Sequence, residues 1–242
     1  MPDAPVTRAP ARPARQVVLC HDEHGPEAAQ ISLEAIVARL SQTPADGNGL
    51  GSRVWRFAPV ALAQGRPERA DDIFHAMKWV NLSDPVRVAH LPCEFHWLQR
   101  LKAGCFPRPV AHAMLGESAY LLVAEWVEGR NLALHGPAIV ADLIVAGRFD
   151  GFLADLTRII EHLARAGIAH SDIWEPNIIV RNLAPVLIDF GWGRTRGTPA
   201  ARDNMHQPDD ERAMFQLMLR LGALRRMVGP AARRREEAMA ST

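Results

Sequence analysis

A chain of 242 residues that is 48% apolar and 23% charged has room for one two-part domain or two small ones, with enough apolar material for a sizeable core. Its net charge of +1 and few, scattered aromatic side chains exclude the field and the stacking surface that a nucleic-acid partner requires. The three cysteines, Cys20, Cys93 and Cys105, show no paired metal-ligand spacing and read as reduced thiols of a cytoplasmic protein.

In chain order, residues 1–16 read as a disordered tail, punctuated by Pro2, Pro5, Pro10 and Pro13 with almost nothing to bury. Met1 to Arg15 lacks the apolar stretch of a signal peptide. The adjacent His21, Asp22, Glu23 and His24 alternate sides in an extended segment, so they read as a solvated turn and not as a metal site.

A short amphipathic segment from Ile31 leads into the glycine-rich run Asp46 to Val54, followed by strands expected at Val54 to Leu62 and Ile73 to Val80. The polar stretch Gln64 to Asp72 turns between them. Ser83 and Asp84 can cap the next helical segment, and Pro92 to Lys102 carries Phe95, Leu98 and Leu101 at helical spacing up to Gly104. Leu121 to Ala124 is a short buried strand running into Glu125, Trp126 and Val127, where composition turns from strand-rich to helix-rich.

The apolar stretch Ala138 to Ala146 is short and broken by Asp142, so no membrane span is expected. Phe149, Phe152, Leu153, Leu156, Ile159, Ile160 and Leu163 then fall on one helical face, stopped by Gly167. This helix delivers the chain to His170. Ile178 to Val180 and Val186 to Ile188 flank Asn182 to Pro185 as a small hairpin that brings Asn177 and Asp189 to neighbouring strand ends.

The chemistry concentrates in His170-Ser-Asp172-Ile-Trp-Glu-Pro-Asn177 and, twelve residues on, Asp189-Phe190-Gly191. A carboxylate able to take a hydroxyl proton, then an amide and a second carboxylate with hard oxygens suited to Mg²⁺, is the equipment of phosphoryl transfer.

Read with Gly47-x-Gly49-x-x-Ser52-x-Val54, Ala76-Met-Lys78 and Glu94, this order resembles the protein-kinase-like phosphotransferase superfamily over roughly residues 47–221. The fold that the resemblance implies is α+β and two-lobed: a small antiparallel N-lobe sheet with one helix, then a shortened, mainly helical C-lobe, with ATP and Mg²⁺ between. Residues 17–129 would form the N-lobe and hinge, 130–224 the C-lobe, and 225–242 a basic tail.

The resemblance assigns Gly47, Gly49, Gly51, Ser52 and Val54 to the loop over the triphosphate, with Val54 24 residues before Lys78 and the extra length in the Gln64 to Asp72 turn. Ala76 leaves room for adenine and Lys78 reaches phosphate from the same strand face, positioned by Glu94 sixteen residues later. The Glu125 carbonyl and Val127 amide become adenine contacts. Asp172 becomes the base, Asn177 and Asp189 the Mg²⁺ ligands, and His170 a scaffold residue.

The departures narrow the reading. No Arg stands between His170 and Asp172, so a switch engaging that arginine by activation-loop phosphorylation is not expected. Trp174 and Pro176 replace the Lys-Pro order of typical Ser/Thr kinases, and H-x-D-x-W-x-x-N is closer to sugar, aminoglycoside and fructosamine kinases. Only 51 residues follow Gly191, and no A-P-E motif is among them. Asp209 and Asp210, opening a helix through Leu221, look like the superfamily's anchoring helix in compact members of the RIO and lipopolysaccharide-kinase kinds.

The expected activity is transfer of the γ-phosphoryl group of Mg-ATP to a hydroxyl, with a saccharide, lipopolysaccharide-type or other atypical acceptor favoured over an ordinary protein. A Ser/Thr protein kinase and a nucleotide-binding pseudokinase are the alternatives, and a metal hydrolase using Asp172 and Asp189 is a third. Arg225, Arg226 and Arg233 to Arg235 offer a weak anionic-lipid contact, diluted by Glu236 and Glu237.

Overall fold

The computed structural model describes residues 16–19, 29–32, 47–49, 52–70, 72–81, 91–115, 119–197 and 209–240. The architecture is α+β, with small antiparallel sheets followed by helices. Residues 1–15, His21 to His24, Ser83, Asp84 and most of the segment following Ile31 lie outside the described residues, as do Leu50 and Gly51.

Strands β1 (Gln16–Leu19) and β2 (Ala29–Ser32) pair antiparallel. The main sheet takes β3 (Gly47–Gly49), β4 (Ser52–Phe57), β5 (His75–Asn81), β6 (Pro109–Leu115) and β7 (Ala119–Glu125) in the spatial order β3-β4-β5-β7-β6. Alternation along β5 sends His75 and Met77 to the buried face and leaves Ala76 and Lys78 on the other. In β7, Tyr120 to Ala124 are all buried, as a continuous apolar run between two neighbours should be.

The expected strand Val54 to Leu62 is corrected: β4 ends at Phe57, and Pro59–Ala63 forms a short helix, α1. Proline has no N–H for a ladder and a φ suited to a first helical turn, while Ala58 and Ala61 are small enough to be fully buried there. Helix α2 (Leu91–Arg100) follows β5, close to the expected span. Strand β6 carries no alternating sequence signal, being rich in alanine, and its place is fixed by pairing to β7.

After β7 the chain passes through Gly129, whose φ is 155° and whose Cα lies so near the backbone of Val180 that an added Cβ would sit 2.5 Å from its carbonyl oxygen. It then forms β8 (Arg130–Asn131), α3 (Leu132–Val145) and α4 (Phe149–Ala166). Asn131 caps α3 by accepting from the amides of Ala133 and Leu134, and its Nδ2 donates to the Pro176 carbonyl at 2.7 Å.

Phe149, Phe152, Leu156, Ile159 and Leu163 form the buried stripe of α4, each such side chain contributing roughly 1.5–3 kcal/mol on burial. Gly167, with φ 66°, ends the helix in the left-handed conformation. No single helix among the described residues is long and apolar enough to cross a membrane.

There follow β9 (Ile168–Ala169), β10 (Ile178–Arg181), β11 (Ala184–Leu187), β12 (Arg194–Thr195) and α5 (Asp210–Ala240), with single 3-10 turns at Glu175–Asn177 and Phe190–Trp192. The hairpin turn is confined to Asn182 and Leu183, with φ of 51° and 61°. Ala184 and Pro185 belong to β11, an edge strand where the missing N–H is tolerated. Helix α5 runs past Leu221 through Pro230, so residues 225–240 continue it. Arg225 bonds Asp150 at 2.8 Å and covers the Phe149 ring.

One core joins the inner faces of α3, α4 and α5 to Trp97 and Leu98 of α2, to Leu101 just beyond it, and to Phe106 and Phe190. Helix α2 is thereby held between the main sheet and the chain that carries Asp189.

Candidate functional site

Lys78 projects from the centre of β5, where Val54 and Leu122 are its neighbours on the flanking strands. Its Nζ donates to Glu94 Oε2 at 2.9 Å and to Asp189 Oδ1 at 2.5 Å. Glu94 is nearly fully buried on α2, and its other oxygen accepts from the Phe190 amide at 3.2 Å. One glutamate therefore fixes both the lysine and the backbone beside Asp189.

Burial pushes the Glu94 carboxyl above its ordinary range, against the pull of Lys78 and helped by the Asp189 charge. For Lys78, burial opposes the ammonium, but two facing carboxylates outweigh it and hold the proton more tightly than usual. Burial also works to raise Asp189, yet Lys78 outweighs it and keeps this carboxylate ionised below its usual value. Lys78 thus stands between two carboxyl groups.

Asp189 has φ 64° and ψ 73°, a left-handed conformation that costs a non-glycine residue roughly 1–2 kcal/mol. Gly191 donates its amide to Asp189 Oδ1 at 3.4 Å, and a Cβ there would stand 3.2 Å from that same oxygen. Gly193 is similarly crowded: an added Cβ would meet the Trp97 ring of α2 at 2.6 Å.

The second half of the site is the loop after β9. Asn177 Nδ2 donates to both the carbonyl and Oδ2 of Asp172, each at 2.9 Å. Its amide hydrogens being committed there, Oδ1 is the atom left to face a cation. The Ile188 amide donates to the Asn177 carbonyl at 2.9 Å, so β10 and β11 bring Asn177 and Asp189 to one end of the hairpin.

His170 is fully buried, with its ring against Phe190 at 4.5 Å between centroids. Its Nε2 lies 3.0 Å from the Ile188 carbonyl and its Nδ1 accepts from the Asp172 amide at 3.2 Å, which requires the neutral ring protonated on Nε2. Burial, which lowers its pKa, favours the same form. His170 is a strut between the two carboxylate-bearing segments.

Asp210, buried at the start of α5, accepts from the amides of His170 at 2.6 Å and Ser171 at 2.8 Å. Arg220 on the same helix pairs with Glu175. The sequence marks Asp210 only as a helix opener, because a bond reaching back 39 or 40 residues leaves no local pattern.

Gly47 and Gly49 lie in β3 at the sheet edge, with Gly47 opposite Val54 and Gly49 opposite Ser52, and β4 stands between them and Lys78. Ala76 shares the Lys78 face. Glu125 ends β7, where its carboxylate holds Arg181 at 2.5 Å, and Val127 is half-buried just beyond. The Arg181 bridge was not legible in the sequence.

Among the described residues no three His, Cys, Asp or Glu side chains converge as a ready-made metal cage. An amide oxygen and one carboxylate at neighbouring strand ends instead suit Mg²⁺, which keeps several waters and takes its other ligands from phosphate. No known protein-family model matches the chain, and no curated protein does.

Proposed function

We propose that this chain is a compact, atypical member of the protein-kinase-like phosphotransferase superfamily, of the lipopolysaccharide-core-kinase or RIO kind. In this reading the main sheet with α2 is the N-lobe and the helices after Gly129 are the C-lobe. ATP lies between them, and its γ-phosphoryl group passes to a hydroxyl acceptor.

The observation that carries the reading is the double bridge at Lys78. An ammonium held at 2.9 Å by Glu94 and at 2.5 Å by Asp189 is positioned for phosphate by residues 16 and 111 positions away. The Asp172–Asn177 pair, 2.9 Å apart in the loop after β9, is the independent support.

The acceptor hydroxyl gives its proton to Asp172 as its oxygen forms the new bond to the γ-phosphorus, and the bond from phosphorus to the β–γ bridging oxygen breaks to release ADP. Asn177 holds Asp172 in the orientation this needs. Asn177 Oδ1 and Asp189 would hold Mg²⁺, which supplies charge neutralisation across the phosphate oxygens. Trp174, half exposed two residues beyond Asp172, and the catalytic-loop pattern favour a saccharide over an ordinary protein acceptor.

The test is incubation of purified protein with labelled Mg-ATP, candidate core sugars and a generic protein, expecting label on sugar. Label on protein alone would reverse the acceptor preference. Asp172→Asn should lower turnover by about 10²–10⁴-fold while Mg-ATP still binds. Unchanged turnover would remove Asp172 from the reaction, and binding without turnover in the unmodified protein would favour a pseudokinase. Lys78→Ala should abolish transfer, whereas a metal hydrolase would keep its activity.

A further inference from the structure

Ser171 is a non-glycine residue with φ 64°, almost fully buried, between the strut His170 and the base Asp172. Its amide is held by Asp210, and its Oγ accepts from Arg194 Nε at 2.8 Å. Arg194 lies five residues beyond Asp189, in β12. That strand pairs with β9 immediately before His170, with Arg194 opposite Ala169 and Thr195 opposite Ile168. The Arg196 amide adds a bond to the Gly167 carbonyl at 2.9 Å, and its guanidinium pairs with Glu211 on α5.

The segment leaving Asp189 is therefore stitched by backbone and side chain to the loop that presents Asp172. We infer that Arg194 is a positioning residue: through Ser171 it fixes Asp172 in register with Asp189. The inference rests on the phosphotransferase reading.

Two features favour a positioning role over plain surface pairing. The partner is a buried oxygen on a residue in a left-handed conformation, where the loop can relax once a contact is lost. A guanidinium also donates from a planar fork that fixes direction as well as distance, which a single ammonium does not.

The experiment compares unmodified protein with Arg194→Ala, Arg194→Lys, Ser171→Ala and the double alanine variant, measuring ADP release from Mg-ATP. The expected result is a 10- to 100-fold fall in kcat for Arg194→Ala with KM for ATP within about twofold. Arg194→Lys should recover part of the loss, Ser171→Ala should match Arg194→Ala, and the double variant should be no worse than either single one. Unchanged kcat, equal changes in kcat and KM, or multiplicative losses in the double variant would overturn the inference.

Amide hydrogen exchange across residues 168–173 separates the two readings. If the unmodified protein releases no ADP, the phosphotransferase reading fails and the positioning role with it. If ADP is released but exchange and kcat are both unaltered in Arg194→Ala, only the clasp fails.

Discussion

Replacing Asp210 with alanine removes the shared acceptor of two buried backbone amides, those of His170 at 2.6 Å and Ser171 at 2.8 Å. Each is a hydrogen bond to a carboxylate, worth roughly 1.5–3 kcal/mol, so the pair contributes about 3–6 kcal/mol. Part of this returns when the loop relaxes, because Ser171 leaves its φ of 64°, a conformation costing roughly 1–2 kcal/mol. The net loss is about 2–5 kcal/mol. For a chain of this size each kcal/mol lowers Tm by roughly 2–4 °C, which puts the expected shift at about 4–20 °C. Thermal unfolding followed by circular dichroism, with urea titration as a second measure, reads it directly. Asp210→Asn keeps the shape but turns an NH₂ toward one of the two donors, and should recover less than half. A shift under about 3 °C for Asp210→Ala, or an Asp210→Asn variant as stable as the unmodified protein, would refute the claim that these bonds hold the loop.

At Gly129, alanine combines an unfavourable φ of 155° with a Cβ only 2.5 Å from the Val180 carbonyl oxygen and 2.8 Å from Ile179 Cγ2. We expect a loss of about 2–4 kcal/mol in urea unfolding, and an unaltered midpoint would contradict the close approach. Cys105 is a half-buried thiol whose pKa burial pushes up to about 11. Peptide mapping after reaction with a thiol reagent at pH 8 should show it modified far more slowly than glutathione. Because the unfolded thiol ionises near 9 while the folded one keeps its proton to about 11, this group's contribution to stability is present below pH 9 and declines between those values.

The parts of the site legible in the sequence are those whose signal is local. Helix α4 announces itself by the stripe from Phe149 to Leu163 and the stop at Gly167, and Lys78 by its place in an alternating strand. Asp172 and Asn177 are close enough in sequence for one loop to join them. The hidden contacts are hidden by distance. The bonds from Asp210 to the loop, from Arg194 to Ser171 and from Arg181 to Glu125 each join residues on different elements. No periodicity encodes them. Strand β6 and helix α1 were obscured for another reason: alanine-rich and proline-containing apolar runs fit a strand or a helix equally well, and tertiary pairing decides.

Two of these long-range contacts converge on one residue. Ser171 is held at its amide by the first residue of α5 and at its hydroxyl by the segment leaving Asp189. A left-handed serine costs roughly 1–2 kcal/mol, less than the charge-assisted bond it gains from Asp210 alone. The strain is thus overdetermined, and its effect is directional: with His170 locked to Ile188 on one side and Asn177 fixed to Asp172 on the other, the turn at Ser171 sets where the Asp172 carboxylate points. The C-terminal helix follows soon after Asp189. Its first turn anchors the loop through Asp210, and Arg194 anchors it independently through the Ser171 hydroxyl.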